Sequence, residues 1–181
     1  MEPRPDSPIK RGYQARREQR LADARDAFAE AVGLYRKSNN PRLLAQSLVE
    51  LGRNERDLGE TRAARQHYEE AANIFRGGPD PLTLAHTVRH VADIFREDGE
   101  TAQAEPNYKE ALEIYIGHED TNPLELANAI RGYALLKGET GHLEEAKLLW
   151  QEAKQLYASV DVHDGVAESE ARIAQLEAGG A

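Results

Sequence analysis

Cysteine is absent from this sequence. That excludes a disulfide framework, thiolate metal sites and cysteine nucleophiles. No stretch approaches the ~18 apolar residues of a membrane span. The N-terminus, MEPRPDSPIKRGYQARREQR, has no apolar run and does not read as a secretory signal. Basic excess is lacking too: the formal net charge is −9, which argues against generic binding to phosphate backbones. These absences predict a soluble, cytoplasmic protein with no nucleic-acid or membrane partner. Catalytic signatures are also missing. Gly77-Gly78 precedes Pro79 rather than a GK[ST] phosphate loop, and no G-x-S-x-G elbow occurs. Five serines and six histidines are too scattered to suggest a triad. The expectation is no enzyme, no catalytic residues and no cofactor.

What the chain does contain is a repeat. Ala24, Phe28, Ala31 and Tyr35 are spaced 4, 3, 4. The same small-large string returns as Ala64/Tyr68/Ala71/Phe75, Ala104/Tyr108/Ala111/Tyr115 and Ala146/Trp150/Ala153/Tyr157, offset by 40, 40 and 42 residues. That spacing is one face of an α-helix. Each alanine admits a neighbouring helix, and each ring fills the space beside it. A second string precedes the last three: Ala45/Leu48/Leu51/Gly52, Ala85/Val88/Val91/Ala92 and Ala127/Ile130/Tyr133/Ala134. Each unit is therefore two helices, A then B.

Punctuation keeps the same period. Asn40-Pro41, Asp80-Pro81 and Asn122-Pro123 precede helices A, where an Asx side chain caps free N–H groups and proline suits the first helical position. Gly59, Gly99 and Gly141 lie between A and B, where a tight turn needs a permissive backbone. No strand alternation competes. The predicted map is a disordered head over 1–7, a short helix from Pro8, and helices near 21–36, 41–57, 61–76, 82–97, 101–116, 123–138, 143–158 and 164–177. A disordered tail follows at 178–181. The single array over 8–177 divides into repeats at about 8–39, 40–79, 80–121 and 122–160, with a capping helix at 164–177. The first helix A is degenerate and keeps only Gly12 of the small-residue pattern; both ends read as caps.

With small residues at Gly52, Ala92 and Ala134, glycine at the A–B turns and the Ala/Tyr/Ala strings, residues 8–177 resemble the tetratricopeptide repeat (TPR) consensus. The period exceeds the usual ~34, and the long form resembles kinesin light chain repeats. The stretch Ala104–Leu112, AEPNYKEAL, is especially similar to that subfamily's second helix, Pro106 included. The resemblance implies an all-α fold: a right-handed α-solenoid of antiparallel helix pairs, about four repeats plus a capping helix. One departure is the late aromatic of helix A, which is Phe95 once but Glu55 and Lys137 elsewhere. Looser A–B packing is expected at those two places.

The resemblance also implies that helices A line a concave groove for a protein or peptide. By register, Arg53, Arg56, His86, Arg89, Arg96, Asn128 and Arg131 are candidate groove residues. Across the inward positions, five arginines against four carboxylates leave +1 in a protein of −9. Arginine suits forked contacts with carboxylates. Arg53–Asp57 and Arg89–Asp93 are also i,i+4 pairs and read equally as solvated decoration. Arg56, Arg96 and Arg131 have no carboxylate four residues on within their helices, and suggest a ladder for an acidic or C-terminal peptide segment. The chaperone-binding carboxylate clamp is not expected, because its places hold Tyr13, Glu50 and His90. His86 and His90 are i,i+4, but His-Thr-Val-Arg-His lacks the zinc-protease glutamate, so no metal is expected. Two other readings stay open: a self-assembling structural repeat protein, forming homo-oligomers through Val166, Ile173 and Leu176, and a peptide-sensing part of a regulatory system.

Overall fold

A computed structural model describes residues 7–179. The expectations about residues 1–6, 180 and 181 fall outside the described residues. Among the described residues, the regular structure is entirely helical. The elements are α1 (Pro8–Arg17), α2 (Leu21–Lys37), α3 (Pro41–Asp57), α4 (Thr61–Arg76), α5 (Pro81–Glu97), α6 (Thr101–Ile116), α7 (Pro123–Glu139), α8 (Leu143–Ser159) and α9 (His163–Gly179). The last helix runs through Gly179, two residues into the stretch expected to be disordered. No helix among the described residues is long and apolar enough to cross a membrane.

The chain divides into two compact units, Met1–Thr87 and Val88–Ala181, with the division inside α5. In the first, α1 packs on α2, α2 on α3 and α3 on α4. In the second, α6 packs on α7, α7 on α8 and α8 on α9. Within each unit, helices thus pack on their neighbours in sequence, as a tandem stack of helix pairs requires.

Local chemistry sets the helix ends. Asn40 Oδ1 accepts from Leu43 N at 3.1 Å, Asp80 Oδ1 from Thr83 N at 3.1 Å and Asn122 Oδ1 from Leu124 N at 2.9 Å. Ser7 caps α1 in the same way, with Pro8 at the first helical position. The A–B turns reverse through Gly59, Gly99 and Gly141, with φ of 79°, 77° and 82°. Glycine takes this left-handed conformation without the Cβ clash other residues suffer. One period earlier, Gln19 holds the same place with φ 59°.

The small-large strings form the core. Ala24, Phe28, Ala64, Tyr68, Ala104, Tyr108 and Ala146 are fully buried, and Trp150 nearly so. Each large ring removed from water contributes roughly 1.5–3 kcal/mol. Close approach accompanies it: a Cβ built on Gly12 would lie 2.5 Å from Phe28 Cε1. Gly12 therefore keeps the helix A small position in the degenerate α1. The looser packing expected at Glu55 and Lys137 is not found. Both are buried, because each carries its own partner into the interface. Glu55 Oε2 lies 2.7 Å from His67 Nδ1 on α4. Lys137 Nζ lies 2.9 Å from Glu105 and 3.1 Å from Glu145.

Candidate functional site

In unit 1, Arg53 and His86 come together. Arg53 Nη2 lies 3.1 Å from His86 Nε2. Both line a pocket of 440 Å³ with Tyr13, Glu50 and apolar side chains from α1, α3 and α4. The i,i+4 partner expected for Arg53 is engaged elsewhere: Asp57 accepts from Arg16 on α1 at 2.7 Å. Arg56 is half-buried on α3, one period from Arg16 and one from Arg96.

In unit 2 the i,i+4 pair does form. Arg89 Nη1 donates to Asp93 Oδ2 at 2.9 Å, and its Nη2 lies 3.1 Å from His90 Nε2. Both charges are buried. Tyr108 Oη donates to Asp93 Oδ1 at 2.7 Å. Burial, and then the Asp93 carboxylate, push the Tyr108 phenol far above its usual range. This network leaves Arg89 little freedom to meet a ligand.

Arg96 and Arg131 stand out in the sequence because no carboxylate lies four residues on in the same helix. The structure gives both a partner one repeat away. Arg96 Nη1 donates to Glu139 at 2.6 Å. Arg131 donates to both Glu168 oxygens on α9, Nε at 2.6 Å and Nη2 at 2.7 Å. The forked bond to Glu168 raises the Arg131 pKa further. Equivalent helix positions one period apart are spatial neighbours, so a search confined to i,i+4 could not find these pairs. Register could have found them: Arg16–Asp57 and Arg96–Glu139 occupy matching places. Asn128 is partly committed as well, since Tyr157 Oη donates to its Oδ1 at 2.8 Å.

These faces carry guanidiniums paired with carboxylates, Arg96 with Glu139 and Arg131 with Glu168. The class of protein is a tandem helix-repeat scaffold. The tetratricopeptide repeat family model matches residues 8–77. The same small-large register continues through α8.

Solved structures share its fold. A variant form of the kinesin light chain-like nearly identical TPR-like repeats from Podosopora anserina superposes with a TM-score of 0.77 at 15% identity, covering 96% of this chain and 85% of that one. BtubC (BKLC) from P. vanneervenii gives a TM-score of 0.61 at 17% identity, covering 96% and 89%. MamA gives 0.63 at 15%, covering 94% and 90%. A comparison with curated proteins finds no match. These likenesses show the expected all-helical fold of consecutive helix pairs. Tetratricopeptide repeats serve in general as protein-interaction scaffolds, whose stacked repeats present extended binding surfaces.

Proposed function

We propose that this protein is a non-enzymatic adaptor that holds a peptide or helical segment of another protein against its helix A faces, with carboxylates of the ligand exchanging for its own. The observation that carries this reading is the fork at Arg131. Its Nε and Nη2 are already aimed at one carboxylate. The Glu168 side chain that fills the fork is 31% exposed. A planar fork is preorganised for carboxylate, so an acidic or C-terminal segment can replace Glu168 without rebuilding the site. Arg96 offers the same exchange, because the Glu139 side chain that holds it is 44% exposed. Arg53, Arg56 and His86 are further candidate contacts within unit 1, and Asn128 within unit 2.

The test is a pull-down from native cell extract with the wild type and an Arg96→Glu/Arg131→Glu variant, read by mass spectrometry. Matching circular dichroism and melting profiles control for folding. The reading predicts a partner captured by the wild type and lost by the variant. The same partner captured by both would overturn it. A Glu139→Gln/Glu168→Gln variant frees the guanidiniums and should capture more of an acidic partner.

A further inference from the structure

Helices α1 and α9 carry opposite charge. α1 holds Lys10, Arg11, Arg16 and Arg17 and no carboxylate. α9 holds Asp164, Glu168, Glu170 and Glu177 against one arginine, Arg172. In a protein of net charge −9, α1 is a local exception.

Two of the α1 cations are committed, Arg11 to Glu30 and Arg16 to Asp57. Lys10 and Arg17 close no salt bridge among the described residues, and both are exposed. They stand seven residues apart with Tyr13 and Gln14 between them. These four share the helix face opposite the buried Gly12 and Ala15. That face opens on a cleft of 730 Å³ lined by α1 and Gln19. Tyr13 is 43% exposed at its centre. The Tyr13 hydroxyl is turned to Glu50, which orients the ring and leaves part of it to the cleft.

α9 presents the matching pattern. Glu170, Ala174 and Glu177 fall at i, i+4 and i+7, form one flank of the helix and are all exposed. Glu170 lies 3.4 Å from Lys154 and Glu177 lies 2.7 Å from Lys147, yet their side chains stay 60% and 55% exposed. Exposed pairs of this kind hold weakly, and a carboxylate has lone pairs for further donors. Val166, Ile173 and Leu176 are half-buried, so charge rather than apolar area has to carry a contact here.

Seven residues of helix span about 10.5 Å on either element. Laid antiparallel, the two helices place Lys10 opposite Glu177 and Arg17 opposite Glu170. The same register places the Tyr13 ring opposite Ala174, whose small side chain leaves room for it. A parallel register keeps the charge matches but sets Gln14 on Ala174. We propose that the Lys10/Tyr13/Arg17 face of α1 docks the Glu170/Ala174/Glu177 flank of α9 from a second copy of this chain, antiparallel and head to tail. The contact is heterologous, so copies add one after another until a ring closes or a filament grows. It goes beyond the adaptor reading and does not depend on it.

The experiment is sedimentation of the full chain from low micromolar to millimolar concentration. The wild type should gain mass with concentration, and added salt should reverse the gain. Lys10→Glu/Arg17→Glu sets acid against acid, and Glu170→Lys/Glu177→Lys sets base against base. Each variant alone should need about tenfold or more protein to assemble. Mixed in equal amounts, the two should assemble again, because every α1 then meets an α9 of opposite charge. Recovery in the mixture also shows that both variants are folded. As the chain has no cysteine, Tyr13→Cys and Ala174→Cys proteins give a second readout: on mixing they should form a mixed disulfide faster than either forms its own. A wild type that stays monomeric throughout, assembly that neither charge reversal weakens, or a mixture that stays apart would each overturn the proposal. So would a monomer whose Lys10/Arg17 face captures a different, acidic protein. Sedimentation needs no natural partner, so its failure leaves the adaptor reading standing, and failure of the pull-down leaves the self-docking standing.

Discussion

Lys137 Nζ lies 2.9 Å from Glu105 Oε1 and 4.9 Å from the centre of the Tyr133 ring, in the place where the preceding repeat puts Phe95. An aromatic of the repeat is here replaced by a lysine that brings its own countercharges. Burial opposes the ammonium, but hydrogen bonds from it to Glu105, Tyr133 and Glu145 prevail and hold its pKa above that of an ordinary lysine. Hydrogen bonds from Lys109 and Lys137 pull the Glu105 carboxyl down to about 2.

The Glu105 shift sets a pH dependence. Its folded pKa lies below the ordinary 4.5, so the contribution is complete above pH 4.5 and is lost as pH falls toward about 2. Melting temperatures of the wild type and Glu105→Gln should therefore differ at neutral pH and converge across that window. Parallel curves down to pH 2 would show that the carboxylate is not what the lysine holds.

Asn54 offers a gain in stability. It is fully buried, and neither its Nδ2 nor its Oδ1 finds a hydrogen-bond partner. The same register position is Ile94 one repeat later and Leu136 in the next, both buried. An unsatisfied buried amide costs roughly 1–3 kcal/mol. Asn54→Leu should recover about that much, read as a raised denaturation midpoint at unchanged slope.

Gln19 is the second such position. Its φ of 59° matches the left-handed glycines that turn the later repeats. An L-residue there costs roughly 1–2 kcal/mol, partly offset because glycine loses more entropy on folding. Gln19→Gly should stabilise the protein by about 0.5–1 kcal/mol in chemical denaturation, whereas Gly59→Gln should destabilise it by a similar amount.

These cases mark what the sequence alone makes legible. Helix limits, Asx-Pro caps and the alanine–aromatic faces depend on residues within a few positions of one another, and they emerge within one or two residues of the structure. Arg96–Glu139 and Arg131–Glu168 depend on residues 43 and 37 apart, which only the stacking of repeats makes adjacent. Glu55 and Lys137 looked like gaps in a hydrophobic pattern, because a charge reads as exposed until its partner on another helix is seen. Glu50 entered the sequence reading only as the residue that rules out a clamp. Its place between Arg16 and Arg53 is a property of packing, with no trace in composition or spacing.

The central claim is that partners bind the helix A faces, and site-specific photocrosslinking in the native cell tests it most directly. A photoreactive residue placed at Leu135, on the helix A face beside Arg131, should trap a protein partner. The same residue at Gln151, exposed on α8, should not. Crosslinking at Leu135 that disappears in Arg96→Glu/Arg131→Glu would support the claim, and a partner trapped from Gln151 but not from Leu135 would contradict it.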